Sequence, residues 1–216
     1  VTLPDPEVRM AALGMLGRLR RPASLSILSQ AVYDPHPAVR AFAAGALGEF
    51  GSTDGIAPLT HALSDENPRV RSVAASSIGR LGATETRSVV QPLLRDPDEH
   101  VRISAVEALL RLGDASAVLN AADLARHPDP SVRGGAAHAL AAATTPNALT
   151  VLESLLRDQQ PLPRLMAARA LGKLQQKSLI SPLKTGLQDS DPTVRIASAG
   201  SLIHILSRKD KQGSAR

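Results

Sequence analysis

Small and apolar residues recur along this chain at spacings of three and four residues, which place them on one face of a helix. Residues 34–51 read DPHPAVRAFAAGALGEFG, where Ala43 is followed by Leu47 and then by Phe50. The pattern predicts an amphipathic helix that ends at Gly51.

The same helical pattern returns every 31 residues, and an arginine precedes each apolar stripe. With this arginine as position zero, every column stays aligned without an insertion or deletion. The arginines of the seven copies are Arg9, Arg40, Arg71, Arg102, Arg133, Arg164 and Arg195. Position +3 is alanine in six of the seven copies, and position +7 is leucine or isoleucine in all of them. The chain is therefore predicted to be a repeat protein.

Each copy carries the start and stop signals of a helix. Position −4 holds an N-cap residue such as Asp5, and position −3 is proline in six of the seven copies. Glycine follows the helix at +11 in three copies, as expected for a residue with positive φ. Apolar residues near +16, +19 and +23, such as Leu25, Leu28 and Val32, predict a second, shorter helix.

Two helices in each unit predict an all-α fold, an α-solenoid of seven stacked two-helix repeats whose last repeat lacks its second helix. Residues 1–206 form the predicted solenoid, and residues 207–216 form a polar basic tail. A repeat array that stops at either end leaves an apolar stripe uncovered. We therefore expect a longer parent chain or self-association through the ends.

Composition narrows the classes of function. The chain has no cysteine, which excludes a disulfide framework and cysteine-ligated zinc. It has no apolar run of about 18 residues and no signal-like amino terminus, so we expect a cytoplasmic protein without a membrane partner. The net charge is +5, of which residues 207–216 supply +3. The rest is too dispersed for a nucleic-acid stripe, and no specific nucleic-acid partner is expected.

The sequence offers few groups for catalysis or for cofactor binding. The six histidines occupy six different columns of the repeat, so they do not converge on a metal. Only three aromatic residues are present, Tyr33, Phe42 and Phe50, and we place two of them in core columns. No P-loop and no nucleophile elbow occurs. We predict no catalytic residue, no metal ligand and no cofactor, and the chain is not expected to be an enzyme.

The pattern DP.P.VR..A...LG.LG, which stands here from Asp34 to Gly51, resembles the short HEAT-like repeats of the phycobilisome lyases. The resemblance covers all seven copies. Proteins with such repeats serve as binding scaffolds, as chromophore-handling proteins and, in distant relatives, as DNA-repair enzymes. The histidine–glutamate pair of the related deoxyhypusine hydroxylases does not occur in this chain.

The resemblance also implies that the arginine column and the aspartate six residues earlier tie repeat to repeat like a ladder. These aspartates are Asp34, Asp65, Asp96, Asp158 and Asp189. His127 replaces the aspartate of the fifth copy, and Pro163 replaces valine in the sixth. We therefore expect a weaker ladder between residues 127 and 164.

The resemblance further implies that the second helices line the concave face, where residues differ from copy to copy. We predict that this face binds a protein or peptide partner and that the chain is a non-enzymatic interaction scaffold. A phycobilin lyase-like or other tetrapyrrole-handling protein is the alternative. The predicted partner-binding residues are Asp54, His61, Glu85, Val89, Leu93, Asn120, Asp123, Leu124, Val151 and Leu155. A competing interpretation is that Leu93, Leu119, Leu124 and Leu155 pack between neighbouring helices.

Overall fold

A computed structural model describes residues 4–143 and 145–213 of the 216-residue chain. Every regular element within these ranges is a helix, as the α-solenoid prediction requires. The first helices of the seven repeats are α1 (Pro6–Leu19), α3 (Pro37–Phe50), α5 (Pro68–Leu81), α7 (Glu99–Arg111), α9 (Pro130–Leu140), α11 (Pro161–Leu174) and α13 (Pro192–Gly213). None of the helices in the described ranges is long and apolar enough to cross a membrane.

The second helices are shorter and less regular than the first helices. They are α2 (Pro22–Ala31), α4 (Ile56–Ala62), α6 (Arg87–Val90), α8 (Ala117–Leu124), α10 (Pro146–Leu155) and α12 (Ile180–Gly186). The shortest, α6, continues as a 3₁₀ segment over Gln91–Arg95. Pro92 explains this change, because proline has no N–H for the helical ladder and its ring crowds the preceding turn.

Each first helix begins where the sequence predicts it. Asp5 accepts a hydrogen bond from the backbone N–H of Glu7 at 2.8 Å, and Asn67 accepts one from Arg69 at 2.9 Å. The glycines at +11 adopt the predicted positive φ, for example 80° at Gly51. The first helix of the seventh repeat, α13, extends to Gly213, so residues 207–213 of the predicted tail are helical.

The chain divides into two compact units, residues 1–114 and 115–216. The first unit contains α1 to α7, and the second contains α8 to α13. In repeats two to six, the alanine at +3 and the leucine or isoleucine at +7 are completely buried. These two columns form the core that the sequence predicts.

Neighbouring first helices pack at backbone distance, because glycine at +8 faces a small residue at +6 of the next repeat. A Cβ atom built on Gly48 would lie 2.6 Å from the Cβ of Ser77. One built on Gly79 would lie 2.6 Å from the Cα of Ala108. Consecutive second helices within a unit, by contrast, make few contacts with each other. The tight contact in each unit therefore lies between first helices.

The arginine at position zero binds both turns that flank its repeat. Arg40 donates from Nε and Nη2 to the two carboxylate oxygens of Asp65, at 2.6 and 2.9 Å. Its Nη1 donates to the carbonyl oxygens of Asp34 and Pro35, at 3.0 and 3.2 Å. The same side-chain pair forms in four other repeats, as Arg9–Asp34, Arg71–Asp96, Arg133–Asp158 and Arg164–Asp189.

We expected a weaker ladder at the sixth copy, but the pairs on both sides of it are intact. Arg133 and Arg164 both hold their aspartates at 2.7 Å, so the replacement of valine by Pro163 leaves these pairs intact. His127 keeps one role of the missing aspartate, because its Nδ1 accepts the backbone N–H of Asp129 at 3.2 Å.

Each ladder aspartate is held in its charged form. A hydrogen bond from Arg133 lowers the pKa of Asp158, against the opposing effect of burial. At Asp65, burial favours the neutral carboxyl, but hydrogen bonds from Arg40 and from the backbone of Asn67 still bring its pKa below the usual value. The pairs are largely buried, with 11% and 10% of the Arg40 and Asp65 side chains exposed.

We predict that acid lowers the free energy of unfolding at pH values where ordinary surface carboxylates are still partly ionised. Because the ladder aspartates have lowered pKa values in the folded state, their contribution is complete above the unfolded pKa of about 4 and is lost as the pH falls through the folded values. Urea unfolding should therefore give a smaller free energy at about pH 3 than at about pH 6. Asp65→Asn should reduce that difference. Equal free energies at both pH values would contradict the role of the ladder.

The glycine contacts give a second prediction, with a matched control inside the chain. Gly79→Ala should destabilise the protein by about 1–3 kcal/mol, because the new methyl group overlaps the Ala108 backbone. Gly200→Ala has no heavy atom within 4 Å of the new Cβ and should stabilise helix α13 by about 0.5–1 kcal/mol. Denaturant unfolding measures both. A stabilising Gly79→Ala would mean that the first helices do not pack as described.

Candidate functional site

The ten residues predicted to bind a partner do not form one accessible surface. The side chains of Asp54, His61, Glu85, Val89 and Asp123 are exposed. Two further members of the set, Asn120 and Val151, are partly buried. These seven residues stay candidates for contact with a partner.

The prediction is wrong for the three leucines of the set. Leu93, Leu124 and Leu155 are only 7%, 7% and 3% exposed, so they are not available to a partner. All three stand at position +22, which is also small or apolar in the remaining copies (Ala31, Ala62 and Gly186). The absence of any polar residue in this column is the sequence signal that marks it as core. The low exposure of these three leucines agrees with the competing interpretation, whereas Leu119, which that interpretation also included, is 68% exposed.

One contact on the second-helix side was not anticipated from the sequence. The rings of Tyr33 and His61 lie 4.6 Å apart, with an angle of 36° between their planes. Tyr33 follows α2 and His61 belongs to α4, so the pair joins the outer ends of the first two repeats. The two positions, +24 and +21, belong to different columns, which is why column-by-column comparison did not connect them.

A groove of about 540 Å³ lies on the exposed side of α1 and α3 and reaches α5. Its floor consists of small residues, which are Gly14, Gly17, Ala41, Gly45 and Ala46. Its larger apolar side chains are Met10, Phe42 and Val73, and its charged residues are Arg18, Glu49 and Arg69. This groove was not predicted from the sequence, because partner-binding residues were expected only on the second helices.

Phe42 is the central side chain of this groove. A Cβ atom built on Gly14 would lie 3.2 Å from the Cζ of Phe42, so the ring rests on the glycine of the preceding repeat. Part of the ring is nevertheless accessible to solvent, because Phe42 is 41% exposed. Phe42 stands at +2, outside the apolar columns +3, +7 and +10 of its repeat. Position +2 lies at the edge of the core rather than inside it.

The same columns of the repeat form a smaller pocket in the second unit. This pocket has a volume of about 180 Å³ and lies between α9 and α11. His138, Ala141, Met166, Arg169, Ala170 and Lys173 line it. The columns +2, +5, +6, +8 and +9 thus contribute to a depression in both units, although the residues in them differ.

Packing inside each unit favours the first helices as the inner layer. Neighbouring first helices meet at backbone distance, whereas neighbouring second helices make few contacts. A stack that is tight on one side and open on the other bends toward its tight side. We infer that the first helices, and not the second helices expected from the resemblance, lie on the inside of each unit.

Comparison with known sequences gives the family. The profile described as HEAT repeats matches residues 1–78, 56–122, 89–162 and 155–213, which together span most of the chain. The chain belongs to the HEAT repeat family. No curated protein sequence matches this HEAT repeat chain significantly.

Solved structures support the same fold for this HEAT repeat protein. The complex of CpcE and CpcF of phycocyanin lyase from Nostoc sp. PCC7120 has a TM-score of 0.66 and 22% identity, covering 94% of this chain and 91% of that one. An engineered protein has a TM-score of 0.53 and 20% identity, covering 85% and 96%. A designed armadillo repeat protein has a TM-score of 0.50 and 19% identity, covering 84% and 99%. At these identities the similarity shows the fold alone.

The HEAT repeats at both ends of the described chain expose large apolar side chains. In the first repeat, Val8 and Met15 are 47% and 55% exposed. In the last repeat, Ile196 and Ile203 are 72% and 64% exposed. Across residues 4–143 and 145–213, no group of three or more histidine, aspartate or glutamate side chains is arranged to hold a metal ion.

Proposed function

We propose that this HEAT repeat protein is a non-enzymatic scaffold that binds a protein or peptide segment in the groove formed by α1, α3 and α5. The observation that supports this proposal is the half-open ring of Phe42 above a floor of glycine and alanine. The proposal keeps the scaffold function expected from the sequence. It moves the main site from the second helices to the first helices.

The groove suits an apolar anchor carried by a partner segment. Met10, Phe42 and Val73 offer apolar contact along its length, and its floor of small residues leaves room for an inserted side chain. Aromatic residues in such depressions supply much of the binding energy at protein interfaces. An amphipathic helix laid along the groove would present anchors at spacings of three and four residues.

The charged rim would orient the bound segment. Arg18, Glu49 and Arg69 are exposed at the edges of the groove, and none of them forms a salt bridge with another described side chain. A partner with one acidic and one basic group beside its apolar anchor would complement this arrangement. Exposed charges of this kind affect orientation and association rate more than affinity.

The regular columns explain why recognition falls to these positions. The residues at +3, +7 and +8 are committed to packing, and the arginine at zero is committed to the turns. The columns that face the groove, by contrast, can change without loss of the stack. A HEAT repeat array therefore provides a constant frame for a variable surface.

A tetrapyrrole-handling protein is the second candidate function. A groove of about 540 Å³ with two arginines on its rim offers apolar contact for an open-chain tetrapyrrole and cations for its two propionates. Incubation with a bilin would produce a shifted visible absorption band if this candidate is right. Arg18→Ala should then weaken the shift.

The uncovered ends also support self-association as a further interaction. Ile196 and Ile203 expose an apolar strip on α13 that would be covered if another helical repeat, from a second copy or from a longer chain, packed against it.

The scaffold proposal predicts the outcome of a peptide selection. A random peptide library displayed on phage and selected on this protein should yield peptides with apolar anchors. Phe42→Ala should weaken their binding about tenfold or more, because truncation of a central aromatic contact costs about 2 kcal/mol. Fluorescence anisotropy measures the affinity, and circular dichroism checks that the variant remains helical.

Val89→Ala is the matched control for this experiment, because Val89 is an exposed apolar residue on the second-helix side. It should leave the affinity unchanged. If Val89→Ala weakens binding while Phe42→Ala does not, the second-helix face is the binding surface and the proposed groove is wrong.

A further inference from the structure

We propose that the second unit has its own recognition site, a cationic pocket that binds the carboxylate groups of an acidic peptide segment. The pocket lies between α9 and α11, and its basic side chains are His138, Arg169 and Lys173. This site belongs to a different unit from the Phe42 groove, and its proposal does not depend on that groove.

The three basic side chains lie close together because of the repeat geometry. His138 and Arg169 both stand at +5, in adjacent repeats, so they are neighbours across the packed helices α9 and α11. Lys173 follows Arg169 by four residues and therefore lies on the same face of α11. All three side chains are exposed around the opening of the 180 Å³ pocket.

The floor of the pocket is small and apolar. Ala141 and Ala170 leave the space above them open, and Met166 supplies a flexible apolar wall. A glutamate side chain has the matching form, because its methylene groups would contact Met166 while its carboxylate reaches the rim. Arg169 can donate two parallel hydrogen bonds to such a carboxylate, and Lys173 can add a third donor.

No carboxylate of the second unit competes for these cations among the side chains that the structure describes. Asp158 and Asp189 are occupied by Arg133 and Arg164. Asp129 and Asp191 cap helices, accepting backbone N–H groups at 2.7 and 2.8 Å. The two others, Asp123 and Glu153, lie on the second helices α8 and α10.

The exposed face of the first helices in this unit is therefore positive without internal compensation. Columns −2, +1, +2, +5, +8 and +9 of α9, α11 and α13 contain no aspartate or glutamate. Neither Arg169 nor Lys173 forms a hydrogen bond or salt bridge with another described side chain. Their charges are available to a partner, which charge complementarity identifies as acidic.

An acidic peptide fits these features better than a nucleic acid does. Nucleic-acid sites neutralise about six or more phosphates and stack bases on aromatic rings. This pocket has three basic side chains, and all aromatic residues of the chain precede residue 51. The alanine floor is better suited to aliphatic stems than to base planes.

The test uses three fluorescein-labelled probes and fluorescence anisotropy. The first is an eight-residue peptide of alternating glutamate and leucine, the second replaces each glutamate with glutamine, and the third is an oligothymidine of the same charge as the first. The glutamate peptide should bind about tenfold more tightly than the glutamine peptide, and its affinity should fall as salt rises from about 50 to about 200 mM.

Arg169→Gln combined with Lys173→Gln should reduce the affinity for the glutamate peptide about tenfold. The matched control is Arg126→Gln combined with Arg157→Gln, which removes the same charge from exposed positions at the ends of second helices in the same unit. This control should retain the affinity. Arg169→Lys keeps the charge but loses the paired donors, so it should give a smaller loss than the double variant.

Three results would overturn the proposal. Equal losses in the two double variants would show that only the net charge matters. Equal affinity for the glutamate and glutamine peptides would show that the pocket does not recognise carboxylates. Tighter binding of the oligothymidine would identify a nucleic-acid site instead. None of these results bears on the Phe42 groove, because that groove is tested with other peptides and another variant.

Discussion

The stack depends on one recurring interaction, the binding of a single arginine to the turns on both sides of its repeat. Arg71 shows the arrangement, with its Nε and Nη2 on the carboxylate of Asp96 and its Nη1 on the carbonyl oxygens of Asp65 and Glu66. The guanidinium fork fixes distances that flexible turns would otherwise leave free. Once the turns are fixed, the helices they connect have little freedom to slide.

That restraint allows the close contact between first helices and gives each unit an inner surface. Gly79 can meet the Ala108 backbone only if the register of the two helices is fixed. The first helices pack closely while the second helices make few contacts with each other, and the first helices line a depression in each unit. In the first unit the depression is apolar around Phe42, and in the second it is cationic around Arg169. The same repeat geometry thus forms depressions of different chemical character in the two units.

Much of the fold could be predicted from the sequence, because repetition reveals which columns every copy needs. The caps, the core alanines and leucines and the arginine–aspartate columns all follow from that logic. The site could not be predicted in the same way. The side on which the helices pack more tightly depends on how closely the backbones approach at Gly48 and Gly79, and the sequence does not give that distance. Leu93 was misassigned because its column is core despite varying in size, and the groove around Phe42 was not predicted because an aromatic residue at +2 can remain half open.

The most direct test of this account is a double-mutant cycle on Arg71 and Asp96, with the free energy of unfolding measured for both single variants and the double variant. We expect a coupling energy of about 1.5–3 kcal/mol, because both side chains are largely buried and joined by two hydrogen bonds. The exposed pair Arg126–Asp123 is the reference and should give about 0.5 kcal/mol or less. A coupling energy for Arg71–Asp96 no larger than that of the reference pair would contradict the account.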